Sequence, residues 1–225
     1  MTHPLDRLSW NALSGLHAEF SVGTDTARRY AKGYSPIIGF ADTDRPPFDA
    51  LAPYCDPGEH FYCENWTGPA PAGWRIDYDA TKFKLVWQGA LPAADVTPEI
   101  VRLTPEHVPH VMELVAAASP GPFGPRTIEL GEFYGWFEGP RLVAMAGERL
   151  RAGQYHEISS VCTRPDFRGR GLANRLTTKL IRQQMLRNEI PFLQVMRDNV
   201  GAHKLYERMG FSVYREANAR IVTMV

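Results

Sequence analysis

Residues 161–173 read VCTRPDFRGRGLA and are the most informative part of this sequence. They join the end of an apolar strand-like run to a glycine-rich turn and then to the start of an amphipathic helix. Gly169 and Gly171 let the backbone turn tightly and approach a ligand closely. The first amides of the helix are unpaired, and Arg168 and Arg170 add full positive charges. This stretch therefore predicts an anion site, suited to a phosphate, between a strand and a helix.

The glycine spacing does not identify the ligand by itself. No Gly-Lys-Ser/Thr follows, so the stretch is not a P-loop. Asn174 stands where a dinucleotide-binding fingerprint has its third glycine. A simple tight turn would also explain Gly169 and Gly171, so the interpretation needs a second motif.

The elements around this stretch follow a regular order. The pattern predicts strands at 100–103, 133–137, 141–150, 155–163 and 191–196, a strand pair at 212–215 and 220–225, and helices at 104–118, from 172 onward and at 202–209. Thr104 caps the first helix, and Gly210 ends the last one. The predicted order from residue 99 is therefore β-α-β-β-β-α-β-α-β-β.

A second motif lies at residues 198–211, which read DNVGAHKLYERMGF. It resembles the Asn-x-x-Ala-x-x-Leu-Tyr-Glu-x-x-Gly-Phe segment of the GNAT superfamily of acyl-CoA-dependent N-acetyltransferases. The run from Arg168 to Ala173 matches that family's Arg/Gln-x-x-Gly-x-Gly/Ala signature. The sequence is thus identified as a GNAT member over residues 99–225. The resemblance implies an α/β (α+β) fold with a mixed, mostly antiparallel twisted sheet flanked by helices.

The resemblance also implies acetyl-CoA as co-substrate and no metal. In the family, the strand that ends here at Thr163 splays from the next strand, and its free edge pairs with the pantetheine arm. Unpaired strand-edge groups are costly unless something satisfies them, so a cofactor at this edge makes physical sense. The implied cofactor-binding residues are Val161, Cys162, Thr163, Arg168, Gly169, Arg170, Gly171, Leu172, Ala173 and Asn199.

Catalysis in such enzymes is direct attack of a neutral amine on the thioester. A carboxylate often assists loss of the amine proton, and Glu157 is the candidate on the strand at 155–163. His156 points to the opposite face of that strand. Tyr206 matches the position that, in many relatives, protonates the departing thiolate or binds near the sulfur. The alternatives are an ordinary strand carboxylate paired with an arginine for Glu157, and a packing role for Tyr206.

Residues 1–98 form a predicted N-terminal lobe, separate from the GNAT domain at 99–225. The lobe carries 8 Lys/Arg and 12 Asp/Glu, whereas residues 99–225 carry 17 and 13, a modest difference that favours the C-terminal part for an anionic ligand. Prolines punctuate the lobe, and its pattern predicts a helix at 6–20 and strands at 58–63 and 83–87. It is either a degenerate GNAT-like half or a region that shapes the acceptor site.

Composition excludes several function classes. At 225 residues with 44% hydrophobic and 22% charged residues, the chain is globular, and its formal net charge of zero speaks against a nucleic-acid partner. Three cysteines at irregular spacing favour a reducing cytoplasm over a disulfide scaffold. The N-terminus lacks the basic start and apolar run of a signal peptide, and no uncharged apolar stretch of about 18 residues predicts a membrane span.

Two other constellations carry little chemistry. His107 and His110 lie on one helix without an evident carboxylate or cysteine partner, so no metal site is expected there. The cysteines lack a Cys-x-x-Cys pair, which disfavours covalent cysteine catalysis. The expected function is acetyl transfer from acetyl-CoA to the primary amine of a small-molecule or amino-acid-like acceptor, by a monomer or homodimer. The alternative is a non-catalytic acyl-CoA sensor or a partner-binding pseudoenzyme.

Overall fold

A computed structural model describes residues 3–95 and 97–225 of the chain. The α-helices are α1 (Leu8–Leu13), α2 (Phe48–Leu51), α3 (Val108–Ala118), α4 (Leu172–Leu186) and α5 (Val200–Met209). The strands are β1 (Ser21–Gly23), β2 (Ala27–Tyr30), β3 (Ile38–Phe40), β4 (His60–Glu64), β5 (Trp74–Trp87), β6 (Ile100–Arg102), β7 (Phe133–Glu138), β8 (Arg141–Ala152), β9 (Tyr155–Thr163), β10 (Ile190–Met196) and β11 (Phe211–Met224).

Eight of these strands form one sheet, in the order β4-β11-β5-β10-β9-β8-β7-β6. Only β9 and β10 are parallel, and every other neighbouring pair in the sheet is antiparallel. Strands β1 to β3 form a separate three-stranded antiparallel sheet. The predicted fold class, a mixed and mostly antiparallel sheet flanked by helices, is confirmed.

Helices cover both faces of the large sheet. On one face, the leucines of α4 at 172, 176 and 180 pack with Ile158, Leu193 and Tyr206 in one apolar cluster. On the other face, α1 packs against Leu150 and Phe192. Because side chains alternate along a strand, Phe192 and Leu193 face opposite sides, which is why two clusters form on this sheet.

The C-terminal strand differs from the predicted pair. Residues 211–224 form one strand, β11, with register shifts at Val213/Arg215 and Ile221/Val222, so the predicted pair of strands at 212–215 and 220–225 is wrong. No turn forms because β5 lies beside β11 over its full length and supplies its hydrogen bonds. The helix predicted at 6–20 is also shorter in the structure, because the α-helix ends at Leu13. The His17 amide then donates a hydrogen bond to the Ala12 carbonyl, so the chain turns after the helix.

Strand β5 joins the two parts of the chain that the sequence separates at residue 98. It lies between β10 and β11 and pairs with both. The division into 1–98 and 99–225 stays a prediction about domains, while the sheet itself is continuous across it. Over the described residues, no helix has the length and apolar character needed to span a membrane.

Candidate active site

The site begins where two parallel strands separate. Strand β10 pairs with β9 from Ile190 opposite Tyr155 to Leu193 opposite Ile158, and the pairing stops there. Residues 159–163 continue to pair with β8 on their other side. The β10-facing backbone edge of residues 159–163 is therefore open, as a strand-like ligand requires.

A bulge marks the same point of β9. Gly147 pairs with Ser159 and Met145 with Cys162, so two residues of β9 face Ala146 alone. Ser160 adopts a positive φ of 55°, a conformation that costs a non-glycine residue about 1–3 kcal/mol. A bulge turns backbone groups away from the regular ladder. Here the bulge changes the direction of the backbone amides of residues 160 and 161, at the point where the two strands separate.

The glycine turn stands at the start of α4. Gly169 and Gly171 have φ values of 80° and 77°, and a Cβ at either position would meet no atom within 4 Å. No side chain caps α4, so its first amides stay free for a ligand. Arg168 and Arg170 are exposed, and neither forms an ion pair with another residue in the described part of the chain. The geometry suits a phosphate at this turn.

The predicted residues around this turn face different ways. Leu172 is buried in the core beneath α4, so only its backbone amide is available to a ligand. Cys162 is also buried, packs beside Met145, and has its thiol pKa raised to about 12 by burial. The carbonyl of Thr163 accepts a hydrogen bond from Arg168 Nε at 3.4 Å.

Helix α5 brings Asn199 and Tyr206 to the opening between the strands. Asn199 Oδ1 accepts the Ala202 amide at 3.2 Å and caps α5, which leaves its amide nitrogen free to donate. The Tyr206 side chain is buried and packs against Phe211, with ring centroids 5.9 Å apart. Burial raises the pKa of Tyr206 to about 12, so the phenol keeps its proton near neutral pH.

Glu157 lies behind the site rather than on its surface. The side chain is 1% exposed and accepts four hydrogen bonds. Arg149 donates two of them, from Nε at 3.2 Å and Nη2 at 3.0 Å, and the Leu150 amide donates a third at 3.2 Å. Gln194 Nε2 donates the fourth at 2.8 Å. Glu157 therefore fixes the side chains of Arg149 and Gln194, and the predicted base role stays a prediction.

A cavity of about 270 Å³ opens where β9 and β10 separate. Its upper wall comes from Ser159 to Val161 on β9 and from Asn199, Ala202 and Tyr206 on α5. Its lower wall contains Arg149 and Gln194, and its floor comes from the N-terminal lobe, with Tyr62, Glu64 and Lys82. Val161 and Tyr206 thus meet in one cavity, whereas the glycine turn lies outside it.

Sequence reasoning did not find Arg149, Gln194, Glu64 or Lys82. Each is an ordinary polar residue within a strand, and no local pattern separates a buried one from a solvated one. The sequence does contain one usable signal for Lys82. Lys82 and Lys84 alternate with apolar residues on a strand, and this alternation places their two ammonium groups on one face.

One cluster of metal-ligand type occurs in the described residues, formed by Glu148, His156 and Glu189. Arginines already serve its carboxylates: Arg151 pairs with Glu148 at 3.2 Å, and Arg187 pairs with Glu189 at 2.7 Å and also with Glu148. Burial lowers the pKa of His156. These arginines balance the charge of both carboxylates, and the arrangement is that of an ion-pair network.

The comparisons with known proteins agree with this geometry. The FR47-like protein family matches residues 133–221, from β7 into β11. A GNAT-family protein from Novosphingobium aromaticivorans shares 34% identity over 100% of both chains, with a TM-score of 0.90. No relative of curated function matches the sequence.

Two more distant structures share the fold. A GCN5-related N-acetyltransferase from Kribbella flavida has 16% identity over 96% of this chain and 95% of its own, with a TM-score of 0.59. A GCN5-related N-acetyltransferase-like protein from Streptococcus suis has 15% identity over 98% and 97%, with a TM-score of 0.61. Fold, glycine turn and full-length relative together define an acyltransferase, and the chain belongs to the GNAT superfamily.

Proposed function

We propose that the protein transfers the acetyl group of acetyl-CoA to the primary amine of a small-molecule acceptor by direct attack. The observation that carries the proposal is the separation of β9 from β10 beyond Ile158 and Leu193, which opens a backbone edge into the cavity. The arm of acetyl-CoA pairs with the edge at Val161 and Thr163. The amides from Gly169 to Ala173, with Arg168 and Arg170, hold its pyrophosphate, and Asn199 binds the arm from α5.

The reaction forms an N–C bond and breaks the thioester C–S bond. The neutral amine attacks the acetyl carbonyl, and collapse of the adduct expels the thiolate of coenzyme A. Tyr206, which lines the cavity with its proton retained, donates that proton to the thiolate. The acetylated amine loses one proton, and Glu157 is our candidate to receive it when acceptor binding releases one of its four hydrogen bonds. Exchange with solvent then removes the proton from Glu157 and returns a proton to Tyr206.

Gln194 orients the acceptor amine in this proposal. Glu157 is an acceptor of hydrogen bonds, so it holds the amide nitrogen of Gln194 and turns Oε1 away. That oxygen is buried and receives no hydrogen bond within residues 3–95 and 97–225. A buried acceptor without a donor costs about 1–3 kcal/mol. An N–H of the acceptor amine supplies the missing donor.

We also propose that residues 1–98 act as an acceptor-shaping lobe. Residues of their strands β4 and β5 line the same cavity as Asn199, Ala202 and Tyr206.

The test is release of coenzyme A thiol from acetyl-CoA with a panel of primary amines. Turnover with any amine, with the acetylated product identified by mass, supports the proposal. Calorimetric binding of acetyl-CoA without thiol release for any amine would instead make the protein a non-catalytic acyl-CoA sensor. No binding of acetyl-CoA would overturn both functions.

A further inference from the structure

Three charged side chains of the N-terminal lobe meet at the cavity floor. Glu64, at the end of β4, has Oε2 2.9 Å from Lys82 Nζ and 3.0 Å from Lys84 Nζ. Lys82 and Lys84 are two residues apart on β5 and therefore share one face of the sheet. Two ammonium groups thus serve one carboxylate.

The groups of this trio differ in what they face. Lys84 is fully buried and also donates to the Leu5 carbonyl at 2.7 Å, while Glu64 Oε1 accepts the Ser9 amide at 3.1 Å. Lys84 and Glu64 are therefore held by contacts within the protein and form a structural ion pair. Lys82 keeps 16% exposure of its side chain and lines the cavity. Lys82 is therefore the cation left to face a ligand.

The charges support this division. Burial raises the pKa of the Glu64 carboxyl, but the ammonium groups of Lys82 and Lys84 outweigh that effect and hold it below its usual range. Burial lowers the pKa of Lys84, and the Glu64 carboxylate opposes the shift. The other cation at the cavity wall, Arg149, is balanced by its two hydrogen bonds to Glu157. Glu64 supplies one negative charge for two ammonium groups, and of these two Lys82 is the one that lines the cavity.

The register places Lys82 near the group that orients the amine. Gln194 lies directly opposite Lys84, and Met196 lies opposite Lys82. Gln194 and Lys82 are therefore diagonal neighbours on the same face, with about 7–8 Å between such positions in an antiparallel pair. One small molecule can therefore contact both side chains, because both also line the same cavity. The cavity of about 270 Å³ also suits a small acceptor.

We propose that Lys82 binds a carboxylate of the acceptor, so that the acceptor is a small amino acid whose amine lies at Gln194. The inference rests on the proposed function and names the class of its substrate. A partly buried cation is stabilised by an anion at hydrogen-bond distance, which gives the acid an advantage over a neutral analogue.

The test compares each L-amino acid and glycine with its own carboxamide in the thiol-release assay. We expect the wild-type KM for the best amino acid to be at least 10-fold lower than that for its carboxamide, about 1.4 kcal/mol of discrimination. The amine of a carboxamide is less basic, so a larger fraction of it is neutral near pH 7, and this difference in protonation works against the expected preference for the acid. Lys82→Met should remove the preference, Lys82→Arg should retain it, and neither should change the KM for acetyl-CoA.

Lys32→Met is the matched control, because Lys32 is exposed and pairs with Asp56 away from the cavity. Equal KM values for acid and carboxamide in the wild type, or a preference that survives Lys82→Met, overturn the proposal without touching the proposed function. If no amine is turned over, the proposed function fails. In that case, calorimetry measures the affinity of the same acids and carboxamides for the protein saturated with coenzyme A. Tighter binding of the acid that is lost in Lys82→Met supports the role of Lys82, and equal affinities overturn it.

Discussion

Gln194 donates a hydrogen bond from Nε2 to Glu157 Oε1 over 2.8 Å. Gln194 directly follows Leu193, the last residue of β10 that pairs with β9. The carboxylate thereby sets which end of the amide is turned away from it. A buried glutamate, itself held by Arg149, orients a neutral side chain on the cavity wall. The same pair links the core of the sheet to the place where the acceptor amine is expected.

Replacing Gln194 tests its role toward the acceptor. Gln194→Met keeps the length of the side chain and removes the oxygen that is expected to accept the amine N–H. We expect kcat/KM for the acceptor to fall about 10-fold, which corresponds to the loss of one hydrogen bond. The KM for acetyl-CoA should stay unchanged. Initial rates at varied acceptor concentration measure it. Gln183→Met on α4 is the control, and an effect confined to acetyl-CoA would assign Gln194 to the cofactor.

The predicted base is tested by Glu157→Gln. We expect acetyl-CoA affinity to stay, the rate to fall by about 10²-fold, and the acidic limb of the pH–rate profile to move, because an amide accepts no proton. If the limb stays in place while the rate falls, Glu157 acts only by positioning Arg149 and Gln194.

Glu148→Gln provides a matched control for that variant. Glu148 is equally buried and paired with arginines, but those arginines, Arg151 and Arg187, do not line the cavity as Arg149 and Gln194 do. Thermal melting of both variants separates loss of folding from loss of chemistry, since a broken buried ion pair costs about 3–5 kcal/mol. A Glu157→Gln enzyme with the wild-type rate and profile would remove Glu157 from the catalytic residues.

Tyr206→Phe separates three roles for the phenol. As a proton donor to the thiolate, Tyr206 acts only in the transition state, so kcat and kcat/KM should fall alike, by about 10²-fold, while acetyl-CoA still binds. A packing residue would give a silent variant. A cofactor-positioning residue would raise the KM for acetyl-CoA with little change in kcat.

The pH dependence adds a check on Tyr206. Burial raises its pKa to about 12, so the proton is present at every pH below about 10. The kcat profile should therefore show no alkaline limb from this group in that range, and a limb near pH 8 that disappears in Tyr206→Phe would contradict the assignment. Tyr134→Phe is the control, since burial also raises the pKa of Tyr134 to about 12 at a site outside the cavity.

The glycine turn is tested by Gly171→Glu. The new side chain would enter open space beside the first amides of α4 and place a negative charge where the pyrophosphate is expected. We expect calorimetry to show acetyl-CoA affinity lowered at least 10-fold, or about 1.4 kcal/mol. Gly73→Glu is the control, because Gly73 has the same φ of 77° and equally open surroundings. Equal affinity in the Gly171 and Gly73 variants would remove this turn from the cofactor site.

Local sequence signals predicted much of the C-terminal part. Strand β9 begins and ends at the predicted residues Tyr155 and Thr163, and α5 ends before Gly210, whose φ of 115° requires glycine. These features depend on periodicity, caps and backbone freedom within a few residues, which a single sequence displays. The predicted pair of strands at 212–215 and 220–225 was wrong because β11 pairs along its whole length with residues 74–87, which are far away in the chain.

The sequence by itself determined the family, the glycine turn and the segment that carries Asn199 and Tyr206, since each is a contiguous pattern. Only the tertiary structure decided that Glu157 is buried behind Gln194, and that Glu64 and Lys82 form the cavity floor. The reason is physical: the surroundings of a strand side chain depend on which strands pair and which helix covers them. Pairing of β5 with β10 joins residues more than 100 positions apart, and no local pattern encodes it.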